Sequence, residues 1–114
     1  DDKALEAFRR AQATGMRSKG SRATIEIADI LIKQGKTEQA VQEMEKWVEK
    51  CDVSNWKSGH WAPYVLSAYA DVLARAGHKE EAIATCKQAL ARENIRSRFK
   101  KSITKQLENL QAGK

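Results

Sequence analysis

The chain has 114 residues, 41% of them hydrophobic and 32% charged, with one proline and six glycines. That is enough chain for one domain with its own core, and too much apolar residue for a disordered segment. No apolar run approaches the roughly 20 residues that cross a bilayer, so a transmembrane helix is excluded. The net charge of +6 sits at the two ends. Lys87, Arg92, Arg96, Arg98, Lys100, Lys101 and Lys105 face only Glu93 in their stretch, whereas residues 23–86 are mildly acidic. The chain opens on Asp1 without a methionine or an apolar leader, as expected of a processed chain or an excised piece.

Six helices are predicted in chain order. The first covers residues 2–13, where Ala4, Phe8 and Ala11 recur at i, i+4 and i+7 behind an acidic start. The second covers 21–34 and ends at Gly35, where a left-handed residue closes the last turn. The third, 37–50, begins within three residues of that glycine, with Glu38 near its positive end. Two helices joined by so short a turn pack antiparallel. A long connection follows, residues 51–61, with Trp56, His60 and Trp61. The fourth and fifth helices, 62–76 and 79–92, repeat the arrangement around Gly77. The sixth, 95–111, carries the stripe Ile95, Phe99, Ile103, Leu107 and Leu110 and places basic residues on its other face, as a helix closing a stack should.

The two glycine turns are copies. Leu31, Gly35, Glu38, Ala40 and Val41 align without a gap on Leu73, Gly77, Glu80, Ala82 and Ile83, a period of 42 residues. Ala4-Leu5 to Ala11 matches Ala40-Val41 to Trp47 and Ala82-Ile83 to Ala89, so the first helix is a half-copy of the second type. It is either a solitary cap or what remains of a repeat in a longer protein. The expected organisation is one domain, residues 1–114: an unpaired helix at 1–14, pairs at 21–50 and 62–92, and a capping helix at 95–111.

These residues resemble the tetratricopeptide repeat family of helix–turn–helix units, whose signature ends in Ala-x3-Phe. Ala4-x3-Phe8 matches that ending, and Ala40-x3-Met44 and Ala82-x3-Cys86 match with smaller residues. The family's large-then-small pair appears as Ile27-Ala28 and Tyr69-Ala70, and its next aromatic slot holds Leu31 and Leu73. The period is longer than the family's 34 residues, the closing proline is absent, and Thr24 and Leu66 stand in the leading tryptophan slot. The resemblance implies an all-α solenoid of antiparallel helix pairs wound into a right-handed superhelix. It implies a non-catalytic scaffold that binds a protein or peptide in a groove lined by the first helix of each pair. The groove positions implied are Arg22, Ile25, Asp29, Ile32 and Lys33, then Tyr64, Ser67, Asp71 and Arg75. The terminal-carboxylate clamp of chaperone-binding members needs Lys and Asn where this chain has Ile25 and Asp29, so that ligand is not expected. Asp29 and Asp71, one repeat apart, present paired negative charge suited to a basic peptide, offset by Arg22, Lys33 and Arg75.

Outside the groove, Trp56 and Trp61 are candidate binding anchors in the long connection, against the alternative that they fold back over the helix ends. The basic residues Arg92, Arg96, Arg98, Lys100, Lys101 and Lys105 are a candidate patch for nucleic acid or acidic partners. A structural accessory domain of a larger protein is the third reading. No catalytic constellation is visible: His60 and His78 are the only histidines, and there is no Gly-rich phosphate loop or HExxH stretch. No cofactor or metal is expected. Cys51 and Cys86 lack ligand spacing and are expected as reduced, buried thiols, which leans towards a reducing, cytoplasmic compartment.

Overall fold

The computed structural model describes residues 2–14, 16–57 and 60–113. Its order is α1 (Asp2–Ala13), α2 (Arg17–Lys33), α3 (Thr37–Lys50), a 3-10 turn (Val53–Asn55), α4 (Trp61–Arg75), α5 (Lys79–Leu90) and α6 (Ser97–Gln111). No strand occurs among the described residues. Each helix packs on the next in sequence, and α4 also touches both α2 and α6. The all-α helical-repeat architecture read from the sequence is the observed one.

The turns explain the pairing. Gly35 and Gly77 stand at φ 79° and 87°, a region where a Cβ clashes with the neighbouring carbonyl. The chain then doubles back so tightly that the Lys36 N–H donates to Leu31 O and the His78 N–H to Leu73 O, both at 2.8 Å. Ala40 and Ala82, one turn into the following helices, are completely buried. The His78 imidazole meets Glu38 Oε1 at 2.8 Å, tying the first turn to the second. Above these turns the core is built from Ile27, Leu31, Met44, Leu66, Leu73 and Ile103. The positions of α1 equivalent to the buried Ala40, Val41, Met44 and Trp47 are Ala4, Leu5, Phe8 and Ala11, and all four are only half-buried.

Three helix ends differ from expectation by two residues or more. α2 starts at Arg17, a full turn before residue 21, and Gly20 lies inside it rather than in a turn. The reason is Trp47 of α3. Its indole lies against the Gly20 backbone, so that a Cβ built there would fall 2.0 Å from the ring. The indole N–H donates to Ser21 Oγ at 3.0 Å, and the Arg17 guanidinium covers Trp56 at 5.2 Å. The early turn of α2 is thus held by two tryptophans. One repeat later the equivalents of Gly20 and Trp47 are Ala62 and Ala89, both completely buried, so bulk on one helix is matched by its absence on the other. At the far end α5 stops at Leu90 and α6 starts at Ser97. Arg96 is extended there, and the half-buried Ile95 packs on the core from the connecting segment instead of from the helix.

Alanine normally stabilises a helix by about 1 kcal/mol over glycine. Gly20→Ala should do the reverse, because the added Cβ would push the indole off the α2 backbone and off its hydrogen bond to Ser21. A loss of about 1–3 kcal/mol is expected in urea denaturation. A gain in stability would show that Trp47 does not pack as described.

Candidate functional site

The first helices of the pairs, α2 and α4, lie side by side, and α6 continues the row on the other flank of α4. Their common face holds two adjoining clefts. The one between α2 and α4 has a volume of about 130 Å³ and is lined by Ile25, Glu26, Asp29 and Ile32 across from Ala68, Asp71, Val72 and Arg75. The one between α4 and α6 has about 510 Å³, with Tyr64, Ser67, Ala68 and Asp71 across from Ser102, Lys105, Gln106 and Asn109. Ala68 and Asp71 border both, so the small Ala68 side chain is the shared floor. A third cleft of about 390 Å³ extends from Tyr64 and Arg22 towards Phe8 and Ala11 of α1.

Eight of the nine groove positions named from the sequence therefore border this face, and Lys33 reaches it through its ion pair. Their electrostatics differ from a doubly acidic groove. Asp29 is bound by Lys33 at 3.1 Å and Asp71 by Arg75 at 3.2 Å, each pair one turn apart on a single helix. Each carboxylate is thus largely neutralised in place, although exposed pairs of this kind stabilise little. Ser67 is engaged as well: its hydroxyl donates to Gln106 Oε1 at 2.8 Å, and the Gln106 amide donates back to Ser67 O at 3.0 Å. This reciprocal pair pins α6 to α4.

The tryptophans separate. Trp56 is 5% exposed, with its indole N–H donated to Cys51 O at 2.7 Å, so of the two alternatives it takes the fold-back and is not an exposed anchor. The 3-10 turn swings the ring back under the end of α3, where burying it is worth more than presenting it. Trp61 is half-buried at the start of α4, edge-on to His60 and Tyr64, with Arg22 over its ring at 5.8 Å. It supports the Tyr64 corner of the face. Ser58 and Gly59 of the same connection lie outside the described residues. Of the basic residues, Arg96, Arg98, Lys100, Lys101 and Lys105 are exposed and Arg92 is half-buried.

The contribution of α6 to the face is what the sequence reading missed. Ser102, Gln106 and Asn109 were unassigned, and Lys105 was grouped with a separate patch. Two signals were available. Gly113 follows α6 at the distance at which Gly35 follows α2 and Gly77 follows α4, and it shares their left-handed backbone, φ 79°. Ser102, Lys105 and Asn109 also fall on one side of the helix, off the apolar stripe. By both marks α6 is a helix of the first type.

A separate cleft of about 330 Å³ lies between α1 and α3, bridged by the two-pronged contact of Arg9 with Glu43 at 2.6 and 2.8 Å. None of the groove positions reaches it. Among the described residues no group of three or more His, Cys, Asp or Glu side chains is placed to hold a metal ion.

A chain of short antiparallel helix pairs with side-by-side first helices is a helical-repeat scaffold. The sequence profile described as tetratrico peptide repeat matches residues 1–110, and the chain belongs to that family. Its members are typically non-catalytic and mediate protein interactions. Neither the curated proteins nor the solved structures supply a match to the chain.

Both cysteines are free thiols. Burial pushes the Cys86 thiol from its ordinary 9.0 up to about 11. The unfolded thiol ionises first, so its contribution to stability is whole below pH 9.0 and lost as pH rises towards about 11. The stability gap between the wild type and Cys86→Ala should therefore narrow across that interval in denaturant titrations. A gap that stays constant would mean that the thiol ionises freely in the folded chain.

Proposed function

We propose that this chain is a non-catalytic scaffold module that holds an extended peptide segment of a partner protein across the face of α2, α4 and α6. The observation that carries the reading is the convergence at Ala68. Side chains from three helices, separated by up to 84 positions in sequence (Ile25 to Asn109), line two clefts that meet over this one small residue. Open clefts mixing an apolar floor with hydroxyl, amide and charged groups suit a peptide, whose backbone and side chains need both. Family membership supports the same reading, because tetratricopeptide repeats typically mediate protein interactions. The Ser67–Gln106 pair fixes the width of the α4–α6 cleft, which lowers the ordering cost of binding.

Peptides selected from a random display library supply the test, with affinity read by calorimetry. Ala68→Trp fills the floor of both clefts and should weaken selected peptides by at least about tenfold, or about 1.4 kcal/mol, while the melting curve is retained. Lys46→Glu, beside the α1–α3 cleft, should leave them unchanged. Binding that survives Ala68→Trp and falls with Lys46→Glu would move the site to the α1–α3 cleft.

A further inference from the structure

The charge on the α4–α6 cleft selects among peptides, an inference that rests on the groove reading above. Arg98, Ser102, Lys105 and Asn109 recur at i, i+4, i+7 and i+11, which places them in one row along α6. Ser102, Lys105 and Asn109 border the cleft, so Arg98 stands on the same side, two turns before Lys105. The anions nearby are already taken: Asp71 by Arg75, and Asp29 across α4 by Lys33. Lys105 has no ion-pair partner among the described residues, and Arg98 lies only over the Phe99 ring, at 5.2 Å. Glu26 on the α2–α4 cleft carries no ion pair among the described residues, but within the α4–α6 cleft itself the one unneutralised charge, Lys105, is positive.

We propose that the α4–α6 cleft takes an extended acidic peptide segment whose carboxylates, three residues apart, pair with Arg98 and Lys105. The spacing follows from elementary geometry. Seven residues of helix span about 10 Å. An extended polyproline-type chain returns a side chain to the same side every three residues, about 9 Å apart. Arg98 offers a planar fork for one carboxylate and Lys105 a point charge for the next. Ser102 and Asn109, in the same row, supply a hydroxyl and an amide for the peptide backbone. Side-chain carboxylates suffice, so the ligand needs no free carboxyl terminus. A polynucleotide is disfavoured because single strands bind by stacking bases on open rings as well as by charge. Phe99 is covered by Arg98 and has His60 edge-on at 5.0 Å, and Trp61 is hemmed in by His60, Tyr64 and Arg22.

The test uses the full chain and fluorescein-labelled repeating peptides, Asp-Gly-Ser, Asn-Gly-Ser and Lys-Gly-Ser, with oligouridylate as a fourth probe. Anisotropy should show the Asp peptide binding at least about tenfold more tightly than the other three. The double variant Arg98→Glu, Lys105→Glu should lose about tenfold for that peptide. Lys100→Glu, a single charge reversal on the far side of the apolar stripe and half the change of the double variant, should alter affinity by no more than about twofold. If the double reversal lowers the melting temperature, Arg98→Gln and Lys105→Gln taken singly carry the test. Equal affinity for the Asn peptide, a loss with Lys100→Glu as large as with the double variant, tighter oligouridylate binding, or no binding by any probe would each overturn the proposal. Binding of the Asn or Lys peptide that still falls with Ala68→Trp would overturn the acidic preference alone. Binding of the Asp peptide indifferent to Ala68→Trp would overturn the groove itself.

Discussion

The structure depends on a chain reversal that only a left-handed residue allows. Each first helix carries an apolar stripe that it cannot bury alone, and the tight turn delivers the second helix to cover it. With Gly35 and Gly77 in the left-handed region, the next helix begins two residues later and runs back along the first. Ala40 and Ala82 then sit where the backbones come closest, without side-chain bulk to keep them apart. The side-by-side placement of α2, α4 and α6 follows from repeating this turn along the chain.

Packing within the first pair is set by complementary volume rather than by repetition of residues. Trp47 fills the space left by Gly20, while the equivalent positions of the next pair, Ala62 and Ala89, are both small and completely buried. The large ring has consequences beyond its own contacts. It captures the Ser21 hydroxyl, draws the early turn of α2 into helix, and brings Arg17 over Trp56. The long connection thereby becomes part of the core, and Trp56 becomes a structural ring rather than a presented one.

The face of α2, α4 and α6 owes its character to which charges are satisfied within one helix. The carboxylates at 29 and 71 lie four residues before a Lys or Arg, so each is paired before any ligand arrives. The row on α6 has no acidic residue at the matching spacing, and its cations stay unneutralised. Counting charge along the sequence gives a basic tail. Counting it by pairs on the face gives a groove with a positive wall.

The helical-repeat class, the antiparallel pairs and most groove positions were legible in the sequence, because they rest on local rules: an apolar period of 3.6, a glycine where φ must be positive, and a recurrence of 42 residues. The start of α2 and the role of α6 were not, and for Trp56 the sequence left fold-back and exposure both open. Gly20 reads as a turn residue unless Trp47, 27 positions later, is known to lie against it. Trp56 is buried because a 3-10 turn aims it inward, and nothing in its neighbours' identities sets that direction. Ser102, Gln106 and Asn109 join the site only because α6 packs on both α5 and α4. Local chemistry determined the elements. Non-local volume and pairing, which a linear pattern does not record, decided which surfaces those elements hide and which they present.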